Sequence, residues 1–204
     1  MLTTLLGGAG SAAYAGTFSS YRSTLTGITP SVAGVSVTVA TDGEGITLTN
    51  TSDQPVIIKG YQGEPYVKVT SAGVWQNDLS PAVYLNKEQS IGSIPNDANA
   101  TKAPRWTQIS TNHRFTWHDH RIHWMGAAEP PAVAKDPGSK HLINDWKVPI
   151  TIGSQEGTIT GTLTYVPGSK WGTYLPYVAI GAGVIVVVGV QLLVVRRRRT
   201  VTPA

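Results

Sequence analysis

The sequence predicts an all-β sandwich held outside a membrane by one C-terminal helix. Three observations carry this. Short apolar runs recur at roughly the 8–12-residue spacing of sandwich strands, with turn-forming residues between them. No stretch before Leu175 sustains a helical period. Leu175 to Val195 is a run of 21 residues without a charge, and Arg196–Arg199 follow at once. A run of that length crosses a bilayer core as a helix, because a rise of 1.5 Å per residue covers about 30 Å.

The strands read in order. Residues 16–30 are polar, rich in Ser and Thr, and show no period, so they are expected to form an extended lead-in to a domain over 31–168. Val35, Val37 and Val39 alternate with Ser36, Thr38 and Ala40, as in a half-buried strand. Asp42 to Gly45 form a turn, and Ile46 and Leu48 alternate with Thr47 and Thr49, which completes a hairpin. Pro55 to Lys59 is a third strand, and Tyr66, Val67 and Val69 lie in a fourth. Gly73-Val74-Trp75 is a short strand or bulge, and Ser80 to Asn86 is expected to be extended. Lys87 to Pro104, with Pro95, Asn96, Asp97 and Asn99, is a long loop. Trp106 to Ser110 and Arg114 to His118 are two further strands. Pro130, Pro131, Pro137 and Gly138 make Gly126 to Lys140 an irregular loop. Trp146 to Ile152 and Thr158 to Val166 close the domain as a hairpin around Gly153–Gly157. In the last strand Ile159, Gly161, Leu163 and Tyr165 share one face. This pattern is that of an Ig-like sandwich.

Both ends of the chain concern the membrane. Residues 1–15 are apolar and small, and Ala13-Tyr14-Ala15 has the form of a signal-peptidase site. No basic residue precedes Arg22, so these residues read as a partial signal peptide whose positive start lies upstream. Residues 169–174 form a linker, 175–195 the transmembrane helix and 196–204 a basic tail. Trp171, Tyr174 and Tyr177 suit the outer headgroup region, and the arginines place the tail in the cytoplasm by the positive-inside rule. The expected topology is single-pass type I in the cell membrane. Ala179 and Gly183 form a small-xxx-small pair on the span.

The overall formal charge of +4 points toward nucleic acid, but its distribution does not. Eleven of the sixteen Lys and Arg, and all twelve acidic residues, lie between Ser31 and Trp171. The outer domain therefore carries one net negative charge, and no basic patch for nucleic acid remains. The absence of cysteine excludes a disulfide framework and thiol chemistry. Asn50-Thr51-Ser52 and Asn99-Ala100-Thr101 match the glycosylation sequon, a short pattern that arises often by chance.

Four of the five histidines, His113, His118, His120 and His123, fall within eleven residues. In a strand His118 and His120 project to one face, where two imidazoles can share a metal ion. His123 joins them only if the chain bends after Arg121. Met125 adds a thioether, a soft ligand suited to Cu(I). Asp119 is a candidate ligand, or a partner that orients an imidazole. Copper or zinc is the expected ion; without cysteine a structural zinc knuckle is excluded. The same residues also read as packing. Trp106, Trp117, Trp124 and Trp146 supply apolar surface, and His118, Asp119 and Arg121 can form a satisfied polar network. Glu64 reads as the polar tip of a tight turn. The chain has no G-x-S-x-G, H-E-x-x-H, P-loop or G-x-G-x-x-G motif.

Four stretches carry a resemblance: GYQGEPYVKV from Gly60, VWQNDLSPAVYLN from Val74, PRWTQIS from Pro104 and WHDHRIHWM from Trp117. Together they resemble a family of membrane-anchored surface proteins of high-GC Gram-positive bacteria. The resemblance implies a secreted β-rich domain, a C-terminal span and a basic tail, and implies no activity. More loosely, the fold class and the His/Met cluster resemble the copper-handling β-sandwich domains of the CopC type. The expectation is thus a non-enzymatic, membrane-anchored binding or accessory domain with no ligand assigned, whose sharper form is a copper or zinc binder using His118, His120 and His123. The alternatives are a structural or protein-interaction surface domain and, last, an envelope hydrolase.

Overall fold

The computed structural model describes residues 20–41, 43–87 and 93–168. The expected signal peptide, linker, span and basic tail lie outside the described residues. Among the described residues no helix is long and apolar enough to cross a membrane. One compact unit ends at Val166.

Among its described residues ten strands form two antiparallel sheets. The larger has seven strands in the order β1-β10-β9-β4-β5-β6-β7: β1 (Tyr21–Thr29), β10 (Gln155–Tyr165), β9 (His141–Ile152), β4 (Val56–Lys59), β5 (Pro65–Thr70), β6 (Gly73–Asn77) and β7 (Trp106–Ser110). The smaller has the order β2-β3-β8: β2 (Val35–Val39), β3 (Gly45–Asn50) and β8 (Arg114–His118). Two short helices interrupt the strands, α1 (Ala82–Leu85) and α2 (Pro131–Lys135). The fold is therefore all-β and sandwich-like.

Alternation builds the core. Trp146, Val148, Ile150 and Ile152 of β9 are buried, while Lys147 and Pro149 between them are exposed. Val56 and Ile58 of β4 and Val67 and Val69 of β5 extend this face, and Ile46, Leu48 and Trp117 of the smaller sheet join the same cluster. Tyr66 of β5 meets Phe115 of β8 edge-on, with ring centroids 6.2 Å apart. Each fully buried aliphatic side chain contributes roughly 1.5–3 kcal/mol.

Four segments differ from expectation. The lead-in contains β1, paired along its length with β10. Its inward positions include Ser23 and Gly27, and a bulge between Leu25 and Gly27 shifts the register, so no apolar period is visible. Ser80 to Asn86 is not extended. Pro81 has φ −56°, Ala82 N–H bonds to the Ser80 hydroxyl at 3.3 Å, and α1 follows. The irregular loop after Gly126 holds α2, which starts at Pro131 and buries Val133. Finally, β9 begins five residues early, at His141, and the last hairpin turns on Gly153-Ser154 alone. Gly153 has φ +58° in the first of the two turn positions, as a II′ turn requires.

The β9–β10 hairpin depends on one close approach. Gly161 lies under the buried Trp146 ring, and a Cβ there would sit 2.0 Å from Trp146 Cζ2 and 2.4 Å from the Thr24 carbonyl oxygen. Both neighbours belong to the core sheet. Gly161→Ala is expected to destabilise the fold by at least the roughly 1–3 kcal/mol of an overpacked core. Urea denaturation followed by Trp fluorescence measures this. An unchanged midpoint would show that Trp146 repacks freely.

Candidate metal centre

The site forms where β8 ends. His118 is its last residue, opposite Gly45 of β3. The Asp119 N–H then bonds to the Glu44 carbonyl at 3.2 Å, and the Ile122 N–H bonds to the Asp119 carbonyl at 3.1 Å, which closes a turn. Ile122 is fully buried and pins that turn to the core.

Asp119 is also fully buried, and four donors surround its carboxylate. Oδ1 accepts from the Arg121 backbone N–H at 3.1 Å and from Arg121 Nε at 2.8 Å. Oδ2 accepts from an Arg121 terminal nitrogen at 2.7 Å and from Trp117 Nε1 at 2.8 Å. The guanidinium also donates to the Lys59 carbonyl at 3.2 and 3.3 Å and lies 4.8 Å from the Tyr61 ring centre. The expectation that Asp119 binds a metal or orients an imidazole is thus corrected. Its lone pairs are taken, and its role is to fold the bend. A network completed by Arg121 is present as expected, with Trp117 in the place of His118.

The bend brings three imidazoles together. His118, His120 and His123 are each half-buried and offer ligand atoms within 4.8 Å of one another. His118 Nε2 and His123 Nε2 lie 2.9 Å apart. The ring centroids are 4.8 Å apart for 118/120, 4.6 Å for 118/123 and 5.3 Å for 120/123. His118 and His120 do not meet by sharing a strand face, because β8 stops at His118. The turn brings them together, and the same turn returns His123. Met125 is half-exposed, with its sulfur 3.1 Å from His120 Nδ1. His113 is exposed on the loop before β8, and its carbonyl accepts from Asn50 N–H.

Three partners of the cluster lie far away in sequence and carry no local motif. The His120 N–H bonds to the Tyr61 hydroxyl at 3.0 Å, and that hydroxyl donates to Asn86 Oδ1. His120 Nε2 sits 2.8 Å from the Leu85 carbonyl at the end of α1. Burial raises the Tyr61 phenol above its ordinary value, which keeps the proton that this donation needs. Glu64 is buried, not a polar tip. Its carboxylate accepts from the Ser80 hydroxyl at 2.7 Å and from the Gln62 N–H at 3.0 Å. The sequon at Asn50 is closed: the side chain is buried, and Nδ2 donates to the Gln54 and Val69 carbonyls.

Burial pulls the His118 imidazole below its ordinary value of 6.5, His123 and His120 add to the shift, and Glu44 and Asp119 oppose it. Burial likewise lowers His123; its bond to the Trp124 carbonyl opposes this and His120 adds to it. Both shifts favour the neutral ring of His118 and of His123, the state that binds metal. Comparison of the chain with protein-family models, with curated proteins and with solved structures found no match. The chain is thus a β-rich protein with a three-histidine cluster that could hold a metal ion.

Two outcomes follow. Asp119→Ala leaves Arg121 buried without its partner and is expected to cost about 3–5 kcal/mol. Adding Arg121→Ala should cost far less than an independent second change, because the pair acts as a unit. Denaturation of the single and double variants measures the coupling, and additive losses would show the pair to be unimportant. The lowered histidines also link stability to pH. Well above pH 6.5 both rings are neutral in both states and stability is full. As pH falls further the unfolded chain takes up protons first, so the metal-free protein loses stability toward acid. Replacing His118 and His123 together by Gln should shrink that loss, as read from urea midpoints at about pH 7.5 and about pH 5.

Proposed function

We propose that this chain is a metal-binding accessory domain, held on the outer face of a cell membrane, that takes copper or zinc on His118, His120 and His123. The observation that carries the reading is the convergence of three imidazoles within 4.8 Å at a partly open surface. A histidine that serves packing alone satisfies both ring nitrogens inside the core. Here His118 and His123 turn Nε2 toward each other. His120 spends one nitrogen on the Leu85 carbonyl and turns the other to the Met125 sulfur at 3.1 Å. That division is the usual one at metal sites, where the second ring nitrogen is held by a carbonyl or carboxylate. The location rests on the uncharged run Leu175–Val195, the Arg196–Arg199 tail and the absence of cysteine. The reading is non-enzymatic and involves no nucleic acid. Asp119 is held by Arg121 and Trp117 rather than by an imidazole, so it does not supply the carboxylate of a hydrolytic triad.

One observation favours a second reading, a structural or protein-interaction domain. The bond from His120 to the Leu85 carbonyl ties α1 to the bend, so that ring also packs the fold.

Titration calorimetry of the purified full chain with Zn(II) and Cu(II) separates the readings. We expect one equivalent of metal at about pH 7.5, with affinity falling as protons compete for the ring nitrogens. Because His118 and His123 titrate below 6.5, the loss should centre on the acid side of that value. His118→Ala or His123→Ala should cost more than the roughly 10–100-fold that loss of an outer partner costs. His141→Ala should change nothing, since that ring bonds to the Asp136 carbonyl and stacks on Tyr165 elsewhere. No bound metal, together with destabilised histidine variants, would leave the structural reading standing.

A further inference from the structure

We infer that Met125 is the fourth donor of this site and makes it selective for Cu(I), with His120 binding through Nδ1 and His118 and His123 through Nε2. The inference rests on the metal-binding reading above and concerns which ion the site prefers.

It starts from the tautomer of His120. Nε2 lies 2.8 Å from the Leu85 carbonyl oxygen, which can only accept. A lone pair on Nε2 would face the oxygen's lone pairs, so Nε2 carries the proton, an assignment made from its partners. In the neutral ring Nδ1 is then a bare lone pair. That lone pair faces the Met125 sulfur at 3.1 Å, and a thioether also has only lone pairs to offer. Two acceptors held that close gain nothing from each other. A cation between them satisfies both.

The surroundings keep the pair in place. The Tyr61 hydroxyl fixes the His120 backbone at 3.0 Å, and the Leu85 carbonyl fixes its ring. Met125 follows Trp124, whose indole N–H donates to the Ala128 carbonyl at 2.9 Å and folds the loop back on itself. Three imidazoles and one thioether form a soft donor set without carboxylate. Thioether sulfur favours Cu(I) over Zn(II), which is satisfied by nitrogen alone. Met125 is 47% exposed, so the sulfur side is also the side from which an ion enters.

The test compares the wild-type full chain with Met125→Leu, a swap of similar volume at a half-exposed position that leaves the fold intact. Cu(I) affinity is read anaerobically by competition with a chromophoric chelator, and Zn(II) affinity by a parallel competition. We expect Met125→Leu to weaken Cu(I) at least tenfold and to leave Zn(II) within about twofold. X-ray absorption of the Cu(I) form should show a bound sulfur that the variant lacks. Equal Cu(I) affinity in the two proteins, or no bound sulfur, overturns the assignment while the three-histidine site stands. Failure of the wild-type chain to bind either ion overturns the metal reading itself and this inference with it.

Discussion

The buried pair of Asp119 and Arg121 is the interaction on which the site depends. Desolvating two charges costs several kcal/mol per ion, and only good geometry and full hydrogen bonding offset that cost. Both conditions are met. Asp119 accepts four bonds, three from Arg121 and one from Trp117. Arg121 spends its remaining capacity on the Lys59 carbonyl and the Tyr61 ring. The pair thereby joins the end of β8, in the smaller sheet, to the end of β4, in the larger. It also turns the chain within three residues, and that turn is what returns His123 to His118.

Much of the fold was legible because one face of each strand is apolar. Val35, Val37 and Val39 announce β2, and Ile159, Leu163 and Tyr165 announce β10, since alternation leaves a period-two trace wherever one face meets a core. The trace fails where the inward positions are small or polar. β1 packs Ser23 and Gly27 inward and was hidden for that reason. α1 was hidden because four residues, Ala82–Leu85, are too short to show a helical period, and its start is set by Ser80 and Pro81.

The histidine cluster was legible in its members and not in its geometry. His118, His120 and His123 stand out by residue type alone, as does Met125 beside them, and His123 reaches the others only through a bend. What local spacing could not reveal is that β8 ends at His118, so that the pairing by strand face gives way to a pairing through the turn. Nor could it reveal the roles of Tyr61 and Leu85, which lie 59 and 35 residues from His120. Asp119 shows the limit most clearly. A carboxylate between two histidines suggests a ligand, yet its oxygens are taken by Arg121 two residues later and by the Trp117 indole two residues before.

β8 is an edge strand, in the order β2-β3-β8, and this matters for the site. Inside a sheet, neighbouring strands on both sides fix a residue's direction through ladder bonds. Past the end of an edge strand no ladder exists, so side chains must supply the constraint. Here they do so with one ion pair, one phenol and one backbone carbonyl. Such a constraint holds three imidazoles at half burial, a position the interior of a sandwich does not offer. Full burial would satisfy or exclude the ring nitrogens. Full exposure would leave the rings mobile, and their protonation would follow the ordinary value of 6.5. Half burial lowers His118 and His123 enough to keep them neutral and leaves Met125 facing solvent. The sandwich thus supplies a rigid base, and the bend beyond its edge supplies the chemistry.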